Sequence, residues 1–167
     1  MNKGIGDAKY LSEKNIFLLV ALIAFIGILN AGYLAWSALI GDAPTCFLNS
    51  GCDVVARSEY SKIFGIPLAT FGVFFYSMIF GFALWKIKVP TVSVVPFLLP
   101  LALLGFLLSL YFLYLQAFAI KAYCEYCLFS LFDATVIFVA TLYTRSKQKR
   151  QNNLQEEVHE EKEGEGA

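Results

Sequence analysis

Four apolar stretches divide the chain. Asn15 to Gly41 carries no charge over 27 positions, Ile63 to Trp85 none over 23, and Val89 to Ile120 none over 32. Tyr126 to Thr144 spans 19 positions with one charge, Asp133. A bilayer core of roughly 30 Å takes about 20 helical residues, so each stretch is long enough to cross. Backbone groups in lipid must be satisfied within their own segment, which favours helices, and no strand-type alternation competes. The pattern predicts an all-α fold, an integral membrane four-helix bundle. The first run exceeds the roughly 7–15 apolar residues of a signal peptide and reads as helix one. In the third run Pro90 suits a turn, while Pro96 and Pro100 predict a bent or late-starting helix. The expected organisation is an N-terminal segment over 1–14, a four-helix domain over 15–145 and a polar, acidic tail over 146–167 without stable structure.

Composition agrees. Hydrophobic residues make up 58% and charged residues 16% of 167, against nearly half and about a quarter in soluble domains. The formal net charge is zero, and no basic stripe is interleaved with aromatics, so nucleic acid is not an expected partner. The cations are distributed unevenly. Lys3, Lys9, Lys14, Lys86, Lys88, Arg145, Lys147, Lys149 and Arg150 flank one side of the four runs, and Arg57, Lys62 and Lys121 flank the other. The positive-inside rule puts both termini and the middle loop in the cytoplasm. The loop from Asp42 to Lys62 and the turn before helix four are then external.

All four cysteines fall at that external face. Cys46 and Cys52 lie in the first loop, and Cys124 and Cys127 form Cys-Glu-Tyr-Cys at the start of the fourth run. Disulfides persist on the outer side of a plasma membrane. Asn49-Ser50-Gly51 is a turn signal that folds the first pair back on itself. Cys124 and Cys127 share one helix face at i and i+3. Cys124 in a first helical turn would be favoured as thiolate by the helix dipole. One sulfur would face water and a protein thiol, the other the apolar layer a turn deeper. Two structural disulfides are the competing reading. Zinc is disfavoured, because five residues separate the first pair and the face is oxidising, so no metal is expected.

Other polar residues carry weaker signals. Asp133 is the only charge inside the fourth run, but its angular offset of about 180° from Cys124, at about 100° per residue, turns it away from the cysteines. Asp53 suits a helix cap in the loop. Gly27, Gly32, Gly72 and Gly105 suit close helix approach. His159 in the acidic tail has no expected role.

Several segments carry a resemblance. Cys46…Cys52-Asp53-Val54-Val55-Ala56-Arg57-Ser58, Gly65-Ile66-Pro67-Leu68-Ala69-Thr70-Phe71-Gly72…Tyr76 and Cys124-Glu125-Tyr126-Cys127-Leu128 resemble the vitamin K epoxide reductase family over roughly residues 15–145. The resemblance implies a short loop helix between helices one and two. It makes Cys124 and Cys127 the active-site pair, with Cys127 nearest a quinone. Cys46 and Cys52 become a shuttle pair, with Cys52 exchanging with Cys124 and Cys46 meeting the outside partner. Ser58 takes the place of a family serine on the loop helix. Phe71, Phe75, Tyr76 and Ile120 fall where the family lines its quinone pocket, and Leu131 joins them by resemblance at the position where animal members carry a tyrosine. Those members also carry an asparagine near the position of Leu68. Both departures point to the microbial branch, which oxidises thiols and reduces quinone.

The implied activity is quinone-dependent thiol–disulfide oxidation. Its substrates would be a separate thioredoxin-like protein, since only an acidic tail follows helix four, and menaquinone, ubiquinone or phylloquinone. The implied setting is a prokaryotic plasma membrane. A true vitamin K epoxide reductase and a non-enzymatic four-helix membrane protein with structural disulfides are the alternatives.

Overall fold

A computed structural model describes residues 3–46 and 51–165. Its element order is α1 (Lys3–Ile40), α2 (Gly51–Arg57), a 3-10 turn (Glu59–Ser61), β1 (Lys62–Ile63), β2 (Ile66–Pro67), α3 (Leu68–Lys88), α4 (Val95–Tyr114) and α5 (Glu125–Glu165). The last turn of α4 widens into a π-helical segment, Leu115–Ile120. The four long helices hold spans able to cross a membrane: Glu13–Ile40, Leu68–Lys88, Val95–Ile120 and Glu125–Leu154. The expected all-α four-helix architecture is therefore present, and α2 is the short loop helix between the first two spans.

Small residues let the bundle close. Ala21, Ala24 and Ala31 bury one stripe of α1, which packs along α3 and α5, while α4 packs on α5. Ile79, Ala83, Leu98, Ala102 and Ile137 fill the centre. The opposite faces are apolar as well. Leu18, Leu22, Phe74, Phe97, Leu104 and Phe132 are each more than half exposed. Large apolar faces of this kind, on every long helix, match a lipid solvent rather than water.

Helix ends follow local chemistry. Helix α4 starts late, at Val95, with Pro96 in its first turn and Pro100 inside. Proline at the start forfeits an N–H that has no helical partner anyway. Lys121 ends the π-helical segment in the left-handed region, at φ 55°, with its N–H turned back to the Gln116 carbonyl. Phe64 and Gly65 both have positive φ, 51° and 81°, as a two-residue turn requires for the β1–β2 hairpin, whose register pairs Ile63 with Ile66.

Two local expectations change. The backbone beyond Arg150, expected to be without stable structure, continues as helix to Glu165. Its Gln, Glu and Lys content has good helix propensity, and it extends a helix already nucleated in the bundle. Asp53 does not cap α2 but lies inside its first turn, ion-paired with Arg57 one turn on. Asn49 and Ser50 of the expected turn lie outside the described residues.

Candidate functional site

The cysteine-bearing end of the bundle is built from three short pieces. Cys124 directly precedes α5, and its carbonyl accepts the Leu128 N–H at 3.1 Å, so it serves as the helix's N-cap residue. Its own N–H donates to Oε1 of Gln116 at 2.8 Å. Gln116 is 2% exposed, and its backbone carbonyl takes the Ala122 N–H at 3.2 Å. One glutamine thus holds both the end of α4 and the start of α5. Cys127 follows in the first turn of α5.

Cys46 and Cys52 are joined as a disulfide with Cα atoms 5.9 Å apart, while Cys124 and Cys127 are free thiols. The Cys52 N–H donates to Sγ of Cys46 at 3.2 Å. Cys52 is fully buried in the first turn of α2. A Cβ at Gly51 would collide with the Tyr123 carbonyl, so the glycine lets α2 press directly against the residue before Cys124. Cys124 is consequently buried, at 2% exposure, and Cys127 is half-buried. The expectation that Cys124 faces water is corrected: the loop helix lies over it.

Cys52, Cys124 and Cys127 share the wall of one cavity of about 600 Å³. That volume lies in the usual range for small-molecule sites, roughly 300–1,000 Å³. Phe71, Phe75, Tyr76 and Ile120 line it too, as does Ser58. Leu131 is not part of the wall. It lies on α5 with its carbonyl accepting Oγ1 of Thr135 at 2.7 Å. Cys46, bonded to Cys52, also stands outside the wall. Asp133, likewise off the wall, is buried at 3% exposure, and its Oδ2 has no hydrogen-bond partner among the described residues.

Hydrogen bonding restricts what the wall can offer. Ser58 does not lie on the loop helix but ends it: its hydroxyl donates to the Val55 carbonyl at 2.7 Å. The Tyr76 hydroxyl donates to the Ser130 carbonyl at 3.2 Å. Both protons are committed, which leaves these groups as acceptors toward the cavity. Gln116 differs. Its Oε1 is taken by Cys124, so its amide N–H₂ is a donor on the cavity wall. Ser109 adds a hydroxyl to the same wall.

The electrostatics favour one thiolate. The Cys124 thiol is lowered to about 7. The Cys127 thiol, donating to the Cys124 sulfur, is the main cause; the backbone N–H groups of Cys127 and Tyr126 at the helix start add to it, and burial opposes. A buried thiol of lowered pKa, one turn from a second thiol and on the same wall as the buried cysteine of a disulfide, is equipped for thiol–disulfide exchange.

Sequence reasoning missed Gln116, Asn30 and Ser130. Asn30 Nδ2 donates to the Tyr126 carbonyl at 3.1 Å and to Oγ of Ser130 at 3.0 Å, tying α1 to the first turns of α5. The available signal was polarity inside an apolar run: Asn30 and Gln116 are side-chain amides set within the first and third spans, and such groups are rarely idle in lipid.

Compared with known families, residues 18–142 match the model of the vitamin K epoxide reductase family.

Proposed function

The chain belongs to the vitamin K epoxide reductase family, and from that premise we propose that it is a quinone-linked disulfide oxidase serving a thioredoxin-like protein. Family membership and four spanning helices make it an integral, multi-pass membrane oxidoreductase. The finer reading rests mainly on one observation: a buried disulfide cysteine and a pair of free thiols line a single apolar cavity.

The cycle runs through thiol exchange. A reduced partner attacks the Cys46–Cys52 disulfide at Cys46, forms a mixed disulfide there and leaves oxidised, with the loop pair as two thiols. The Cys52 thiolate then attacks Sγ of Cys124 in an oxidised Cys124–Cys127 pair, and Cys127 departs as thiolate. Attack by Cys46 on Cys52 restores the loop disulfide and frees Cys124. The arrangement with a loop disulfide and two free α5 thiols corresponds to this stage. Cys124 and Cys127 next give up two electrons and two protons to the quinone, forming their disulfide and a quinol.

The residues present suit a quinone. Phe71, Phe75 and Ile120 supply apolar wall, and the Gln116 amide N–H₂ and Ser109 hydroxyl supply donors for a carbonyl oxygen. Menaquinone, ubiquinone and phylloquinone all share that ring chemistry. The cysteine-bearing end is assigned to the external side of a prokaryotic plasma membrane, and residues 15–145 to the catalytic domain.

Purified protein, quinone and two donors test the scheme. Cys124→Ala and Cys127→Ala should abolish quinone reduction with dithiothreitol and with reduced thioredoxin alike. Cys46→Ala and Cys52→Ala should lose the thioredoxin-driven reaction and keep part of the dithiothreitol-driven one. Equal activity of all four variants would defeat the proposal.

A further inference from the structure

Thr45, the residue before Cys46, is gripped on both sides of its backbone by tyrosine hydroxyls. Its N–H donates to Oη of Tyr33 at 3.2 Å. Its carbonyl accepts from Oη of Tyr126 at 2.8 Å. The two rings lie 5.4 Å apart, tilted by 45°. Tyr33 comes from α1. Tyr126 comes from inside Cys124-Glu125-Tyr126-Cys127, so the active-site motif itself reaches across to the cysteine of the other pair.

Neither ring belongs to the cavity wall. The segment they grip has no regular structure of its own between Asp42 and Cys46. Its ends are held by the α1 terminus, where Asp42 N–H meets the Ser37 carbonyl at 3.1 Å, and by the disulfide.

We propose that Tyr33 and Tyr126 are positioning residues that keep Cys46 beside Cys52 while the loop disulfide is open. The proposal rests on the function given above and adds a requirement to it. Once the Cys52 thiolate has displaced Cys127 from Cys124, a Cys52–Cys124 bond exists. The Cys46 thiolate must then attack Sγ of Cys52. The Cys46–Cys52 bond forms, the Cys52–Cys124 bond breaks, and Cys124 leaves as thiolate. Two electrons have passed from the loop pair to the α5 pair. Without a grip, Cys46 could roam up to about 20 Å from Cys52 on six residues of chain, and its effective concentration at the sulfur would drop.

Phenylalanine removes each hydroxyl and keeps each ring. The full-length purified protein is equilibrated in glutathione redox buffers, quenched by alkylation, and the state of each pair is read by mass spectrometry. One net hydrogen bond corresponds to about a fivefold change in an equilibrium constant. Grip and disulfide order the same segment, so each favours the other: the loop pair's constant for disulfide formation should fall in Tyr33→Phe and in Tyr126→Phe, by up to about fivefold, and further in the double variant. Tyr33→Phe is the decisive variant, because Tyr33 lies on α1 outside the cysteine motif. In it the Cys124–Cys127 equilibrium should stay where it is. An unchanged loop constant in folded Tyr33→Phe, or an equal shift of both pairs, overturns the proposal. If the double variant does not fold, the single variants decide. A wild-type protein unable to reduce quinone would remove the proposed function, while the loop constants would still report the grip.

Discussion

At the scale of single residues, the site turns on one sulfur and the amide that holds it. The thiolate is the reactive form of a cysteine. With the Cys124 thiol lowered to about 7, its alkylation in the reduced protein should rise with pH through about 7 and level off above. Below that value the rate should drop about tenfold per pH unit, as the thiolate is protonated. Because the Cys127 thiol is the first cause of the shift, Cys127→Ala should move the midpoint up toward the ordinary thiol range; site-resolved mass spectrometry measures both. Gln116→Leu removes the acceptor of the buried Cys124 N–H, and an orphaned donor costs about 1–3 kcal/mol. A thermal or denaturant melt should register that loss, together with a higher Michaelis constant for quinone if the amide N–H₂ binds the carbonyl. The four cysteines were legible in the sequence because their type and spacing carry the chemistry. Gln116 was not, since its partner is a backbone N–H eight residues away, reached only after the chain turns at Lys121.

At the scale of elements, close packing explains what the helices permit. Gly27 meets the Tyr76 ring, where an added Cβ would come within 2.6 Å, and Gly72 meets the Ala31 Cβ, at 3.2 Å. Gly32, expected to act in the same way, faces open space. The four apolar runs foretold the helices but not which face of each is lipid, because every face is apolar and the pattern has almost no amphipathic stripe. Leu131 illustrates the same limit: the resemblance places it at the pocket, and spacing along α5 gives no means to tell wall from flank. Gly105 is the most informative glycine. A Cβ there would run into the Phe75 ring, and α3 and α4 otherwise touch lightly beside the cavity. Gly105→Ala should push Phe75 toward the cavity, at a cost of about 1–3 kcal/mol from overpacking. Steady-state kinetics should then show a raised quinone Michaelis constant with the dithiothreitol-to-Cys124 exchange rate unchanged. Gly32→Ala is the control and should alter neither.

At the scale of the whole molecule, the cations that flank the bundle set which end faces the cytoplasm. Lys86, counted among the flanking cations, is buried at 8% exposure. Its Nζ donates to the carbonyls of Pro90 at 2.6 Å and Val92 at 3.0 Å, with Glu13 at 4.0 Å. It staples the α3–α4 connection onto α1 and is not an exposed flank, so orientation rests on the remaining cations. Lys88 beside it is exposed, as are Lys14, Arg145, Lys149 and Arg150 at the same end, against Arg57, Lys62 and Lys121 at the cysteine-bearing end. The bias survives the loss of Lys86, and it predicts a cytoplasmic Lys88 and an external Cys46. In sealed right-side-out cells, a membrane-impermeant maleimide applied after an impermeant reductant should label Cys46. A Lys88→Cys substitution in the same cells should resist labelling until the membrane is opened. If both positions react from one side, or if Cys46 reacts only after permeabilisation, then the loop disulfide cannot meet an external partner. The electron path from an outside thiol to a membrane quinone would then have no entrance.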